Sequence, residues 1–162
     1  MPKTKPPTAE PPVDLDDLPG HHIRRLQQIA VAIFLQEVEP HGLTPVQFGA
    51  LHTIGSNPGL DQRTLAASIG LDTSTVAGVV DRLEARGLLQ RGASAADRRV
   101  RLLTLTTAGA ALLVDAMPAV LLAQQRMLAP LPAADQAVFM RMLRALVLAN
   151  NGMSRAPSGG VS

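Results

Sequence analysis

The chain has 162 residues, of which 46% are hydrophobic, a formal net charge of +2 and no cysteine. That length and hydrophobic content are typical of one globular domain, and the lack of cysteine excludes disulfides, thiolate chemistry and cysteine-ligated metals. No stretch approaches a membrane span and no signal peptide precedes the domain, so we expect a cytoplasmic protein.

Residues 1–17 form a proline-rich segment. It holds five of the thirteen prolines and both lysines, Lys3 and Lys5, and has almost nothing to bury. This composition predicts a disordered arm. The two lysines could contact DNA loosely, but a solubilising tail is the commoner role of such termini.

A long helix is predicted over residues 18–38, because Pro40 disfavours helical geometry in the residue before it. The apolar side chains of this helix cover much of its circumference: Leu26 and Ile33 share one face, whereas Leu35 lies on another. Such a helix has to be covered on more than one side. A second subunit is the natural cover.

Three helix starts follow, each marked by a capping residue. Thr44 begins a helix in which Gln47 completes a capping box. Asp61 and Asp72 cap two shorter helices, and Gly70 between them suits the left-handed conformation at a helix end. The two short helices are therefore separated by a tight turn.

The second short helix is amphipathic. Four apolar residues recur at i, i+3, i+4 and i+7 and predict a buried stripe: Val76, Val79, Val80 and Leu83. Small and polar residues turn to the opposite face: Ser74, Ala77, Gly78 and Asp81. The runs LLQR and RVRLLTL, joined by the loop GASAADR, then predict a hairpin. Helix, turn, helix and hairpin make a winged helix-turn-helix.

Thr106 caps a long helix that is predicted to continue until Pro130, with a bend at Pro118. A last helix spans about 133–149, and the polar tail from Asn151 is predicted to be disordered. The fold class is thus mainly α, with about six helices and a two-stranded β-wing in each subunit.

Positive charge is concentrated around the hairpin. Between Arg86 and Arg101 there are five arginines against one acid, Asp97. A solvated charged surface is one interpretation. Arginine, however, has the planar fork that suits phosphates and narrow minor grooves, so nucleic acid is the favoured partner.

These features together resemble the DNA-binding lobe of the MarR family of bacterial transcription regulators. The likeness covers STVAGVVDRLEARGLLQR, the DRR at positions 97–99 and LTTAG at 105–109, and the flanking helices extend it over residues 18–150. It implies one domain, with residues 44–106 binding DNA and residues 18–43 and 107–150 forming a dimerisation lobe. The tail at 151–162 lies outside this domain.

The helix after Asp72 is expected to read DNA. Ser74 and Thr75 in its first turn can donate to phosphates or bases, and the free amides of that turn favour an anion. Arg82 is the only long donor on this face, so we expect it at a base edge or a phosphate. A surface salt bridge with Asp81 or Glu84 is the alternative.

Small residues on this face, Ala77 and Gly78, depart from the bulkier polar residues often found there in the family. More of the readout then falls to the wing. By resemblance, Arg99 enters the minor groove, Arg98 binds a phosphate and Asp97 positions the arginine. The complete predicted DNA-facing set is Ser74, Thr75, Gly78, Arg82, Asp97, Arg98 and Arg99.

Regulators of this family commonly bind small aromatic acids in a cleft between the two lobes and then release DNA. His22 and its neighbour Arg25 are expected on the inward face of the first helix, and His52 inward with Phe48 and Leu51 on the second. One guanidinium and two imidazoles near an apolar wall suit an aromatic carboxylate. For the histidines, a role in the core or the interface is the alternative.

The opening GHHIRRLQQ resembles repressors of nicotinate degradation, whose inducer is 6-hydroxynicotinate. An enzyme is disfavoured because the candidate nucleophiles and bases do not assemble, and we expect no cofactor or metal. The predicted function is a homodimeric repressor of a pseudo-palindromic operator, released by a small aromatic carboxylate. The alternatives are a ligand-independent architectural DNA-binding protein and a winged-helix protein-interaction module.

Overall fold

The structure is a computed structural model and describes residues 13–97, 99–154 and 156–157. Within them the chain forms six α-helices and one small antiparallel sheet. The helices are α1 (Pro19–Val38), α2 (Pro45–Ser56), α3 (Gln62–Ile69), α4 (Thr73–Ala85), α5 (Thr107–Leu128) and α6 (Ala133–Asn150). The strands are β1 (Leu60–Asp61), β2 (Leu89–Ala93) and β3 (Arg101–Leu105). The predicted mainly α winged helix-turn-helix fold is confirmed.

Side-chain caps fix the starts of four of these helices, as the sequence predicted. Thr44 and Gln47 form a reciprocal capping box, with each side chain accepting from the other residue's amide at 3.1–3.2 Å. Asp61, Asp72 and Thr106 each accept a hydrogen bond from the third amide of their helix. Because these contacts are local, helix starts were the most predictable feature of the fold.

The sheet has the order β1-β3-β2, with both pairings antiparallel. The hairpin of β2 and β3 runs from the pair Leu89 and Leu105 to the pair Ala93 and Arg101. The third strand, β1, was not predicted, because two residues are too short to give a periodic pattern. It pairs with the middle of β3, where Leu60 lies opposite Leu103.

We call residues 44–106 the reading head and α1, α5 and α6 the terminal helices. The reading head contains most of the hydrophobic core. The largest fully buried side chains are Val38, Leu51, Ile54, Leu65, Val76, Val80, Leu83, Leu89 and Leu103. The predicted apolar stripe of α4 is therefore buried as expected, and it holds the opposite face of α4 toward solvent.

Among the terminal helices, α1 packs along α5, and α6 is the most exposed of the three. Phe34 and Val38 of α1 are buried in the same core as Ala116 and Val120 of α5. No residue of α6 is buried. We predicted burial of Leu26, Ile33 and Leu146, some of them across a two-fold axis. Within one protomer Leu26 is 36% exposed and Leu146 56% exposed, and Ile33 is half-buried.

The helix α5 corrects one expectation. Its 22 residues reach a mean hydropathy of 1.5, which by length and composition alone is enough to cross a membrane. The prediction that no stretch approaches a membrane span was wrong in this respect. Pro118 lies inside the continuous helix, and Ala116 and Val120 of α5 pack in the common core with α1.

The terminal segments are partly ordered where the sequence predicted disorder. Residues Leu15–Asp17 and Asn151–Met153 form short 3-10 turns. In the first of these segments the Asp14 carboxylate accepts from the Asp16 amide at 3.1 Å. The lysines of the predicted arm and the end of the tail lie outside the described residues.

Candidate nucleic-acid interface

The helix α4 presents the surface that was predicted to read DNA. Ser74, Asp81 and Arg82 are exposed, whereas Ala77 and Gly78 are half-buried. The buried stripe on the other side anchors α4 in the reading head. A B-form major groove is wide enough to admit such a helix.

The Asp72 carboxylate organises the first turn of α4. It accepts the Ser74 hydroxyl at 2.6 Å, the Thr75 hydroxyl at 2.7 Å and the Thr75 amide at 2.8 Å. These hydrogen bonds, led by the one from Ser74, hold the pKa of Asp72 well below its ordinary value of 3.8. The expectation of free donors and amides in this turn needs correction, because both hydroxyl protons and the Thr75 amide are already engaged.

Arg82 extends back over the glycine of the same face. A Cβ at position 78 would lie 3.5 Å from Nη1 of Arg82. The alternative salt bridges of Arg82 are not formed, because Asp81 and Glu84 both bind Arg91. Within the part of the chain that the structure describes, the Arg82 guanidinium therefore has no acidic partner and lies at the middle of the exposed face.

Four of the five arginines between positions 86 and 101 lie in the described part of the chain, and these four fall into two groups. Arg91 on β2 binds Asp81 and Glu84 of α4, and the hydrogen bond to Asp81 raises the pKa of Arg91. Arg86 donates to two backbone carbonyls before α2. Arg99 and Arg101 are exposed. The sequence count therefore overstated the positive charge that is available to a nucleic acid.

At the tip of the wing, Asp97 orders the backbone around Arg99. Its Oδ1 accepts from the Arg99 amide at 2.9 Å, and its carbonyl accepts from the Val100 amide at 3.0 Å. Asp97 thus positions the main chain of Arg99, which leaves the exposed side chain free to point away. Arg98, predicted as a phosphate partner, lies outside the described residues.

The predicted ligand residues are not inward within one protomer. His22, Arg25 and His52 are all exposed. His22 Nε2 lies 2.8 Å from the carbonyl oxygen of Asp16. His52 is exposed although the preceding residue, Leu51, is fully buried. Successive side chains of a helix point about 100° apart, so the two lie on different faces of α2.

Aromatic rings link α1 to α2 beside His52. The Phe34 and Phe48 ring centroids are 6.1 Å apart, and the Phe48 and His52 centroids 5.8 Å. Arg25 precedes Phe34 by nine residues, or about 13 Å along α1 at 1.5 Å per residue. The predicted contact of His52 with Phe48 is present. Arg25, however, is far from these three rings, nearer the start of α1.

A shallow cavity, which the sequence did not predict, lies between the end of α3 and the end of α6. Its volume is about 470 Å³. Its lining includes Ser68, Ile69, Gly70, Val147 and Asn150, and none of the three predicted ligand residues. Among the described residues, no three His, Asp or Glu side chains are grouped so that they could hold a metal ion.

Comparison with known proteins covers both lobes. A model of the MarR family matches residues 41–100. The transcriptional repressor NicR of Pseudomonas putida is 30% identical over 151 residues, which are 91% of this chain and 96% of NicR.

Solved structures extend the likeness to three dimensions. The regulator PcaV of Streptomyces coelicolor, solved with its natural ligand, is 39% identical with a TM-score of 0.80, covering 86% of this chain and 99% of PcaV. BpsR of Bordetella bronchiseptica, whose DNA binding is regulated by 6-hydroxynicotinic acid, is 32% identical with a TM-score of 0.80, covering 84% of this chain and 97% of BpsR.

Proposed function

This chain belongs to the MarR family of DNA-binding transcriptional repressors, and on that premise we propose that it binds a pseudo-palindromic operator as a homodimer and leaves it when a small aromatic carboxylate binds. Family members of this kind are regulators and not enzymes. We propose that the protein works in the cytoplasm, where its operator DNA lies.

The exposed face of α4 is the observation that carries the DNA-reading part of the proposal. Arg82 is the long donor on this face and would bind a base edge or a phosphate. Gly78 beneath it adds no side chain, so the helix can approach the groove closely. Ser74 and Thr75 would offer hydroxyl oxygens as acceptors and the Thr75 methyl group to a thymine, because their protons are engaged by Asp72.

The wing supplies the second contact. In the proposal Arg99 enters the minor groove, and Arg98 binds a neighbouring phosphate. Asp97 serves this contact through its hydrogen bond to the Arg99 amide. An arginine held in a narrow minor groove responds to groove width, so part of the specificity would come from DNA shape.

The terminal helices support the dimer. Apolar residues of α1, α5 and α6 are exposed in the protomer, among them Ile23, Ile29, Leu121, Leu146 and Leu148. Exposed apolar residues in this number on three neighbouring helices support an interface here. A two-fold dimer places its recognition helices about one DNA turn apart, about 34 Å, which explains the expectation of a pseudo-palindrome.

For the effector we propose an aromatic carboxylate held by His22, Arg25 and His52. Arg25 is about 13 Å along α1 from Phe34. A pocket lined by all three residues would therefore be formed by residues of both protomers. The rings of Phe48 and His52 offer an apolar wall, and Arg25 offers a fork for the carboxylate. The regulation of BpsR by 6-hydroxynicotinic acid makes this compound the first to test.

The experiment is a pair of DNA titrations, without and with 6-hydroxynicotinate, after footprinting has defined a site in the upstream region of the protein's own gene. We expect the acid to weaken DNA binding by about 5- to 150-fold, and DNA to weaken binding of the acid by the same factor. Sequence-blind DNA binding would instead support the architectural alternative, and no DNA binding the protein-interaction module.

The variant Arg25→Ala separates effector binding from DNA reading. It should bind the operator normally and no longer release it, because the change removes the carboxylate partner and leaves the reading head intact. The matched control is Arg24→Ala. Arg24 is the neighbouring arginine and bonds Gln28 at 3.3 Å, so its loss should leave release unchanged. Release of Arg25→Ala at the wild-type concentration of acid would remove Arg25 from the site.

A further inference from the structure

Arg86 connects the end of the recognition helix α4 to the turn between α1 and α2. It is the C-cap residue of α4, directly after Ala85. Its Nη1 donates to the Gly42 carbonyl at 2.8 Å and its Nη2 to the His41 carbonyl at 3.4 Å, across more than forty residues of chain. Gly42 has a φ of 61°, and the guanidinium lies against it. Arg86 therefore binds one short turn with both arms of its fork.

The side chain of His41 ties this same turn to α5. Its Nε2 lies 3.3 Å from Oδ2 of Asp115, and the imidazole is 15% exposed. The other ring nitrogen is buried and has no hydrogen-bond partner among the described residues. Among the described residues the imidazole therefore has a polar partner on one side only, the Asp115 carboxylate.

The helix before the turn is also fastened to α5. Arg126 of α5 pairs with Glu37 and lies 3.3 Å from Oε1 of Gln36. The turn is therefore linked to the terminal helices, while its carbonyls accept hydrogen bonds from Arg86 at the end of α4. The other side-chain link of α4, through Arg91, leads to β2 and stays inside the reading head.

We propose that Arg86 is a positioning residue for operator binding: it holds the recognition helix at a fixed place relative to the terminal helices, through the turn that His41 and Asp115 fasten to α5. This proposal rests on the DNA-binding role of α4 given above. In a dimer, such a link would set the distance between the two recognition helices. It would also transmit a rearrangement of the terminal helices to α4, and a ligand with different affinities for the two arrangements would thereby change DNA affinity.

Arg86 and Asp115, the first and last residues of this link, carry opposite charges. This difference distinguishes the positioning role from direct DNA contact. Loss of Arg86 removes a positive charge, whereas loss of Asp115 removes a negative one. If simple attraction to DNA governed both, Arg86→Ala would weaken binding and Asp115→Ala would strengthen it. If both residues position α4, each substitution weakens binding.

The test measures operator affinity over a range of salt concentrations for wild type, Arg86→Ala, Arg86→Lys and Asp115→Ala. We expect Arg86→Ala to bind about tenfold more weakly at every salt concentration, because two charge-assisted hydrogen bonds are lost. The slope of log affinity against log salt should stay at the wild-type value. Arg86→Lys should recover part of the affinity, because an ammonium can still donate to the Gly42 carbonyl.

For Asp115→Ala we expect binding about two- to threefold weaker, since the carboxylate is largely exposed. Asp135→Ala, which removes an exposed acid from the first turn of α6, is the charge control and should not weaken binding. Circular dichroism melting checks that each variant is folded.

A slope reduced by about one phosphate contact in Arg86→Ala would show that Arg86 touches DNA, and this result would overturn the proposal. Wild-type affinity of folded Arg86→Ala, or stronger binding by Asp115→Ala, would overturn it as well. If wild type itself shows no preference for the operator over random duplex, the proposed function fails first. The two failures are therefore separable.

Discussion

The reading head and the terminal helices of this protein differ in how much of their apolar surface is buried within one protomer. In the reading head, α2, α3, α4 and the sheet cover one another, and the apolar stripe of α4 is fully enclosed. In the terminal helices, α1 shares a core with α5, but α6 buries no residue at all. One region is complete within a protomer, and the other leaves apolar surface uncovered.

This difference indicates where folding and association are coupled. Helices are stabilised mainly by packing of an apolar face, and no residue of α6 is fully buried inside the protomer. The exposed residues of α6 include Met142, Leu146, Val147 and Leu148. We therefore expect the reading head to keep its structure in any state of association, and α6 to depend on a second copy of the chain.

The largest effect is expected where the two regions join. Gly109 lies in the first turn of α5, and a Cβ there would lie 1.8 Å from the carbonyl oxygen of Leu88. That carbonyl accepts from the Thr106 amide at 3.1 Å. Gly109→Ala would push α5 away from this contact, and we expect a loss of about 4 kcal/mol in the free energy of unfolding.

Urea denaturation of Gly109→Ala and Gly49→Ala provides the measurement. Gly49 lies inside α2, and a Cβ there meets nothing within 4 Å. Gly49→Ala should be neutral or more stable by up to about 1 kcal/mol, because alanine is the better helix former. Equal midpoints for the two variants would contradict the close approach of α5 to Leu88.

The next effect concerns the uncovered surface of α6. Leu146 is 56% exposed in the protomer. If a partner covers it, Leu146→Ala should weaken the dimer by about 3 kcal/mol over its two copies, roughly a hundredfold in Kd. Sedimentation equilibrium across a dilution series measures this constant.

The control is Val46→Ala, which removes an exposed apolar side chain from α2 of the reading head. It should leave the dimer constant unchanged. A wild-type dimer constant for Leu146→Ala would show that this part of α6 is not at the interface.

A smaller effect is expected at the wing, which neither region buries. Arg99→Ala should weaken operator binding by about 1–3 kcal/mol if the side chain occupies a minor groove. The fold and the dimer should be unchanged, because Arg99 lies on an exposed loop. Fluorescence anisotropy with labelled operator measures the loss, and full-affinity binding by the folded variant would remove Arg99 from the interface.

The smallest effect is a pH dependence at the start of α4. The folded pKa of Asp72 lies below its ordinary value of 3.8, so the ionised carboxylate stabilises the fold above that value and this contribution is lost as the pH falls below it. Asp72→Asn keeps a capping oxygen without the charge. The stability difference between wild type and Asp72→Asn should be constant near neutral pH and shrink below about pH 4.

Urea midpoints of both proteins from neutral to acid pH test this expectation. The urea midpoint should change with pH in wild type relative to Asp72→Asn. The dissociation constant of the dimer should be the same for both proteins, because Asp72 is remote in sequence from the terminal helices. A stability difference that persists unchanged at the most acid pH would exclude a charge-dependent cap.

The sequence predicted the parts of this fold that depend on near neighbours. The caps at Thr44, Asp61 and Thr106 and the buried stripe of α4 involve residues within one or two turns, so local patterns were sufficient to find them. The close approach at Gly109 was not predicted, because it joins α5 to the chain before β2. The predicted inward orientation of His52 was wrong, since an amphipathic imidazole is compatible with either side of a helix.

The candidate site shows the same division. Arg82 is exposed and Gly78 half-buried, both outside the buried stripe of α4 as helical spacing predicts. The partners of Arg86 and Arg91 were missed: the first binds carbonyls of a distant turn, and the second binds acids of α4 from the neighbouring strand. A count of charges along the chain cannot distinguish an arginine that the fold uses from one that is available to DNA.

The most direct test of the coupled arrangement uses two DNA duplexes that contain the footprinted operator. One carries five extra base pairs between its half-sites, about half a helical turn, and the other carries them outside the half-sites. Because the terminal helices of a dimer hold two reading heads together, we expect the first duplex to bind at least about 100-fold more weakly, close to random DNA. Equal affinity for both duplexes would show that each reading head binds alone and would contradict this account.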